Sequence, residues 1–569
     1  MYFLLTRGDA HAPSGAWTIL TLDDTGATLR PARHLGTEAL ADFVRQQESA
    51  PGAAGPPRWV WHDTSTSYSV LLAAGIRVQR CHDLRLCHTI LRNSRLSAQS
   101  GLATGERSAW DGPAAVNRLP AVQGATLFDL DAVPQGPSDA HTEFQRQLAA
   151  VAGCEQPARI RLLLAAESAG ALSAAEMRFT GLPWRVDVHE RLLHDALGPR
   201  VPDGVRPDKL EQLAGEIRRH LNDLTLNPDS PPDLLRALNR AGLSVTSTQG
   251  WRLQELEHAV IEPLLRYKKL SRLLSANGWA WLETWIVDGR FHAEYLPGGV
   301  VTGRWAARGG GALQLPKQVR AAVVADPGWT FVVADAAQLE PRILAALSQD
   351  QAMALAGQGR DLYAGIVASG VVDTRDQAKV AMLGAMYGAT TGQSGRLLPR
   401  LGRAYPRALG LTEDAARAGE RGESVTTRLG RSSPKPSPEW LTVQARASEP
   451  DATRSDEHRA RAQARDWGRF TRNFVVQGSA AEWALCWMAD IRRQLWPASG
   501  SSHAALTRGA HLVFFLHDEV IVHTPRADAE HVAAVVARSA ETAGRLLFGT
   551  FPVDFPLTVA LVDSYADAK

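Results

Sequence analysis

Over 569 residues, 62 basic side chains face 60 acidic ones and 45% of the chain is hydrophobic, which excludes a disordered protein and leaves any polyanion binding to local charge. Such a length suggests about three to four domains, and Cys81, Cys87, Cys154 and Cys486 are too few to make a disulfide scaffold. The start MYFLLTRGDAHAP lacks a basic segment followed by an apolar core, and no apolar run reaches the roughly 18 residues of a membrane helix, so a cytoplasmic protein with no membrane partner is expected.

Residues 1 to about 100 mix the strand-like runs WTILTL, RWVWH and IRVQRC with Pro and Gly breaks, the pattern of a small α/β domain. From 101 to 140 turn residues dominate and periodicity is weak, which reads as a linker or a surface-hugging connection. Between about 142 and 295 the runs EFQRQLAAVAG, ESAGALSAAEMRFTG, DKLEQLAGEIRRHLNDL and LEHAVIEPLLRYKKLSRLL repeat apolar residues at helical spacing. WTFVVAD, 329 to 335, predicts a buried strand ending in Asp335, and QLEPRILAAL predicts a helix with Pro341 near its first turn. The stretch 417 to 466 is polar and charge-dense, and part of it is expected to be mobile. Finally VFFLHDEVIVHT, 513 to 524, predicts a β-hairpin whose tight turn holds Asp518 and Glu519 at its tip.

Carboxylates set among apolar strands need a reason, because an unpaired buried carboxylate is costly. Asp335 and Asp518, at neighbouring strand ends, could hold a pair of divalent cations about 3.5 to 4 Å apart. Taken singly, each also reads as an ordinary strand-end acid near solvent. In RDQAKVAMLGAMYGATTG the residues Arg375, Lys379, Leu383 and Tyr387 recur every four positions and share one helix face. Arg and Lys four apart more often mark a solvated face, but this one also carries Leu383 and Tyr387 and ends at Gly388. It suits a nucleoside triphosphate, with phosphates on the cations and the base over the ring or aliphatic group.

These residues resemble those of the A-family DNA polymerases. DAAQLEPR, Asp335 to Arg342, looks like that family's first carboxylate motif, Arg375 to Gly388 like its fingers helix, and His517, Asp518 and Glu519 like its third motif. TGRW (302 to 305) with ALQLP (312 to 316), and the helix bearing Arg469, Asn473 and Gln477 before GSAAE, are similar to its primer and template minor-groove elements. The ordered resemblance spans about 165 to 569.

What the resemblance implies is a residue-by-residue expectation. Asp335 and Asp518 would coordinate two Mg²⁺ ions, for which Mn²⁺ could substitute, with Glu519 as a secondary acid and Lys379 acting with the catalytic group. Arg375 and Lys379 would hold the phosphates of a deoxynucleoside triphosphate. Tyr387 would pack beside the templating position and Glu340 under the sugar, rejecting a 2′ hydroxyl, with Gln338, Tyr363 and Leu383 also lining the substrate site. Thr302, Arg304, Gln314, Arg469, Asn473, Gln477 and His517 would touch the backbone or minor groove of primer–template DNA, where correct pairs offer similar acceptors.

The chain departs from the family pattern at three of these places. Leu383 stands where an aromatic residue is usual, Ala336 where Tyr is usual, and Tyr363 where a phosphate-contacting His is common; a phenol donates one hydrogen bond without charge. The N-terminal region corresponds in position to the family's proofreading exonuclease, yet WTILTLDD supplies only Asp23 and Asp24 where an Asp-x-Glu would open that chemistry. Cys81, His82, Cys87 and His88 are too tightly spaced on one helix for a tetrahedral zinc set and are read as structural. No separate 5′ nuclease domain is expected before this region.

The expected architecture is therefore a multidomain α/β chain: a degenerate, ribonuclease H-like exonuclease-type domain over 1–140, then a right-hand polymerase domain over 141–569. Its thumb would occupy about 190–295, its palm about 296–350 and 490–569, and its fingers about 351–468. The expected activity is template-directed DNA synthesis by a monomer, in repair or gap filling and without proofreading. A non-catalytic DNA-binding protein on a decayed polymerase fold is the alternative, and an RNA-synthesising relative is a third reading that Glu340 opposes.

Overall fold

Alternation with period two builds the first sheet. In strands β1 (Tyr2–Arg7), β2 (Trp17–Leu22), β3 (Thr28–Leu35), β4 (Arg58–Trp61) and β5 (Arg80–Asp83), successive side chains must point to opposite faces. Phe3, Leu5, Trp59 and Trp61 accordingly join one apolar cluster, while Leu4 and Val60 join another with Leu22, Trp110 and Phe144. Both faces are covered. The strand order is β3-β2-β1-β4-β5, antiparallel from β1 to β3 and parallel from β1 to β5.

The computed structural model describes residues 1–7, 16–49, 55–112, 139–202, 204–309, 311–388, 392–496 and 503–568. Most of the predicted linker after residue 112 lies outside them; its first part forms a short helix, Gly101–Thr104, and a 3-10 turn, Ala109–Asp111. The chain divides into two compact units. The first comprises Met1–Phe179, Tyr295–Ala306 and Thr330–Leu561, and the second Thr180–Glu294, Ala307–Trp329 and Val562–Lys569. No described helix is long and apolar enough to cross a membrane.

Within the first unit, the helix Pro157–Thr180 carries Glu176, whose carboxylate is almost fully buried. Its oxygens accept from the Tyr68 hydroxyl at 2.7 Å, from Arg77 Nε and Nη2 at 3.2 Å each, and from Arg492 Nε and Nη2 at 3.0 and 2.8 Å. Burial alone would raise the Glu176 pKa, but Arg492 and Arg77 outweigh it and bring it down to about 2. Arg492 lies near the end of a 41-residue helix, Arg454–Gln494, so this network ties the first sheet to the far end of the chain.

The polar, charge-dense segment 417–466 is in part helical. The segment forms part of the helix Pro406–Glu420, then Pro438–Arg446, then the opening turns of Arg454–Gln494. A capping box between Thr453 and Asp456 starts the long helix. The Pro438–Arg446 helix lies along it, with Gln444 Nε2 donating to the Ala460 carbonyl at 3.0 Å.

A four-stranded sheet in the same unit runs in the order His511–Leu516, Glu519–Pro525, Trp329–Ala336, Leu557–Val562. The first three strands are nearly continuous apolar runs buried on both faces. The second unit is mainly helical, with Asp208–His220 and Ile261–Asn277 among its helices, and holds a buried cluster of Trp184, His189, Trp281 and Phe291.

A candidate carboxylate site at adjoining strand ends

The hairpin His511–Pro525 turns one residue earlier than its sequence suggests. Leu516 pairs with Glu519, so the two-residue turn is His517–Asp518 and Glu519 is the first residue of the returning strand, 2% exposed. His517 occupies the first turn position with φ 60°, where hairpins favour glycine. A non-glycine residue in the left-handed region carries local strain, which concentrates at functional sites.

The Trp329–Ala336 strand runs beside this hairpin, and the Ala336 N–H donates to the Asp518 carbonyl at 2.9 Å. Asp335 and Asp518, both half-buried, therefore stand at adjoining chain positions. After Asp335 the chain turns sharply through Gln338, at φ 52° and ψ 44°, into the helix Leu339–Ser348, with Pro341 at its third position. Arg342, 1% exposed, holds the turn: its guanidinium donates to the carbonyls of Ala337, Gly357 and Arg360 at 3.2, 2.9 and 2.7 Å and to Asp554 Oδ1 at 2.5 Å.

Glu340, in the first turn of this helix, draws the predicted residues together. One carboxylate oxygen accepts from Arg304 Nη2, and the other accepts from the Tyr387 hydroxyl at 2.6 Å. Gln477 Nε2 donates to the same hydroxyl at 3.5 Å. Burial first, then the bond to Glu340, push the Tyr387 pKa up to about 12, so the phenol stays a donor at neutral pH. The His517 pKa is lowered by burial and then by the positive Arg304, against the pull of Glu340.

Tyr387 closes the helix Arg375–Tyr387, which begins on the Thr374 cap and ends at Gly388 with φ 74°. Gly388 packs on Arg469: an added Cβ would stand 2.9 Å from Arg469 Cγ. Arg375, Lys379 and Tyr387 are exposed and Leu383 is half-buried, which confirms the shared face. Lys379 has no partner among the described residues, whereas Arg375 pairs with Asp361 at 2.8 Å. Arg375 also lies over the Tyr363 ring, 5.5 Å from its centroid. Tyr363 is 6% exposed, and burial pushes its pKa up to about 12.

The remaining expected DNA contacts divide. Arg469 pairs with Asp466, one turn before it. Asn473 Oδ1 and Thr302 Oγ1 are buried and have no hydrogen-bond partner among the described residues. Gln314 ends the Ala312–Gln314 turn in the second unit. Gln338, expected at the substrate, has both ends of its amide engaged: Nε2 donates to Asp361 Oδ2 at 2.5 Å, and Oε1 accepts from the Leu362 N–H at 3.0 Å.

Sequence reasoning missed Asp361, Glu167 and Arg431. RDLY carries the signature of a helix cap, which Asp361 is, through Ala364 N at 2.8 Å; nothing local announces its bond to Arg375. Arg431 pairs with Glu167 at 2.6 Å beneath the loop that carries Thr302 and Arg304. Gly303, at φ 88°, rests on that guanidinium, where an added Cβ would lie 2.5 Å from Nε.

The donor set at the strand ends fits a hard divalent cation. Its acids are aspartates rather than thiolates or paired imidazoles, and Mg²⁺ commonly takes one or two protein carboxylates, keeping water and phosphate oxygens for the rest. Among the described residues, no group of three or more His, Cys, Asp or Glu is arranged to hold a metal by itself. In the N-terminal region two acids serve as helix caps: Asp63 accepts from Thr66 N at 3.1 Å, and Asp83 from Leu86 N at 3.0 Å. Cys81 and Cys87 are buried free thiols, His82 pairs with Gln147 at 2.7 Å, and His88 with Glu143 at 2.8 Å.

DNA polymerase I, thermostable, of Thermus filiformis is 26% identical over 435 residues, covering 66% of this chain and 47% of that protein. DNA polymerase I of Chloroflexus aurantiacus is 27% identical over 399 residues, 63% of this chain and 39% of that protein. The chain thus spans less than half the length of these relatives. A solved structure, the POL domain of Pol1 from M. smegmatis in complex with DNA primer-template and dNTP, shares the fold with a TM-score of 0.66 at 18% identity, over 100% of this chain and 96% of that one. The family model for DNA polymerase family A matches residues 206–565, well over half of the sequence, and the chain belongs to that family.

Proposed function

We propose that the chain is a template-directed DNA polymerase that adds deoxynucleotides to a primer 3′ hydroxyl, acting as a monomer on nucleoid DNA in the cytoplasm, in repair or gap filling. The observation that carries this reading is the 2.9 Å bond from the Ala336 N–H to the Asp518 carbonyl, which sets Asp335 and Asp518 at adjoining chain positions, beside a Glu340 that links Arg304 to Tyr387. Two Mg²⁺ or Mn²⁺ ions on Asp335 and Asp518 would lower the pKa of the primer hydroxyl and offset charge on the transferring phosphoryl group.

Everything else falls to the chain itself. Lys379 and Arg375 bind the triphosphate from one helix face, and Tyr387 stacks beside the templating base at its end. Glu340, fixed from two sides, occupies the space a 2′ hydroxyl would need. Glu519, buried at the start of its strand, supports the hairpin turn as a secondary acid. Thr302, Arg304, Gln314, Arg469, Asn473, Gln477 and His517 form the duplex contacts. Residues 1–140 are assigned to a degenerate exonuclease-like domain, 190–295 to the thumb, 296–350 and 490–569 to the palm, and 351–468 to the fingers.

Primer extension on a defined template tests the reading. With Mg²⁺ and deoxynucleotides the primer should lengthen to the template end, and Asp335→Asn or Asp518→Asn should abolish extension while primer–template affinity stays within about twofold. Binding without any extension by the unaltered chain would favour the decayed fold instead. Without nucleotides, a mismatched primer should keep its length, since Asp63 and Asp83 are engaged as helix caps.

A further inference from the structure

We infer that Asp361 is a positioning residue that holds Arg375 until the triphosphate of an incoming nucleotide displaces it, so that nucleotide binding includes an exchange of anions on one guanidinium. The inference rests on the polymerase reading of the same site. Asp361 divides its two oxygens between structure and charge. Oδ1 caps the Leu362–Ala368 helix through the Ala364 N–H at 2.8 Å. Oδ2 accepts from Arg375 Nη2 at 2.8 Å and Nε at 3.3 Å, and from Gln338 Nε2 at 2.5 Å.

The guanidinium edge formed by Nε and Nη2 is a side-on fork, the one an oxyanion grips with two N–H groups at once. Here a single carboxylate oxygen occupies it. The Arg375 side chain is nevertheless 54% exposed, open to an approaching anion, and its neighbour Lys379 has no partner among the described residues. One cation of the face is therefore already neutralised, and the other is free to make first contact.

An ion pair this exposed is weak enough to exchange against a polyanion. Gln338 gives the exchange a route toward the reacting end: its amide bridges Asp361 to Leu362, three residues beyond Asp335 and two before Glu340. When Arg375 leaves, Asp361 keeps Gln338 and its helix cap, so the acid stays in place and only the cation moves.

The test uses Asp361→Asn, because Asn also caps helices well and so removes the charge with little effect on the cap. Binding of dATP to the full chain would be measured on a dideoxy-terminated primer opposite a template T, beside KM and kcat on an extendable primer. The expected result is a dATP Kd and KM about two- to fivefold lower in Asp361→Asn, with the effect gone in an Arg375→Ala background. An unchanged or higher Kd overturns the inference, as does an equal effect without Arg375, because a merely structural loss would not depend on that guanidinium. Failure of the unaltered chain to extend a primer, with the Kd shift still present, would sink the polymerase reading and leave the exchange standing. Extension with no Kd shift would do the reverse.

Discussion

Glu340 meets two demands with one carboxylate, pairing with Arg304 on one side and accepting from Tyr387 on the other. A side chain restrained at both oxygens makes a firmer wall than a flexible one, and under the proposed function this would be the physical basis for sugar selection. Glu340→Ala should therefore raise ribonucleotide incorporation by about 10- to 100-fold, the range a single steric or hydrogen-bond contact can discriminate. The measurement is the ratio of kcat/KM for ATP against dATP on the same primer, and an unchanged ratio would refute the steric role. Glu340→Gln should lose part of the selectivity, because an amide keeps one acceptor but surrenders the charge paired with Arg304.

At the scale of elements, Asp350 joins two helices. It is 3% exposed; one oxygen accepts from Met353 N at 3.1 Å in the first turn of Gln351–Gly357, and the other from Ala408 N at 3.1 Å in the first turn of Pro406–Glu420. Asp350→Ala would strand two buried helix-end donors and should cost about 2 to 4 kcal/mol, twice an ordinary cap. Faster limited proteolysis between 351 and 420 and a lower thermal midpoint would report it; a midpoint unchanged within error would contradict the double cap. The strand at 329–336, the hairpin and the helix Arg375–Tyr387 were legible in the sequence, because unbroken apolar runs and four-residue spacing leave few alternatives. The hairpin tip was misplaced by one residue, since HDE alone does not say which two residues turn. The polar 454–466 segment hid its helix because capping and propagation from a buried second half hold it, rather than an apolar stripe. Contacts such as Arg431 with Glu167 join residues far apart in sequence, and no local pattern encodes them.

Across the whole molecule, the Glu176 network decides what can be removed. Tyr68, Arg77 and the carbonyls of Val78 and Gln79, all from the N-terminal region, surround the Arg492 and Glu176 charges. A chain beginning at residue 141 would keep Glu176 and Arg492 but lose these partners, and breaking a buried ion-pair network costs about 3 to 5 kcal/mol. Such a fragment should be poorly soluble or melt well below the full chain; equal thermal stability would show the network to be dispensable. The same arrangement bears on how the chain could have come about. Under the proposed exonuclease-like assignment of residues 1–140, metal-holding carboxylates could have been lost one codon at a time, each step leaving a folded protein, whereas discarding the whole region would uncover a buried arginine and a buried glutamate at a stroke. On that proposal, a nuclease could fall silent gradually while its scaffold became inseparable from the rest of the chain.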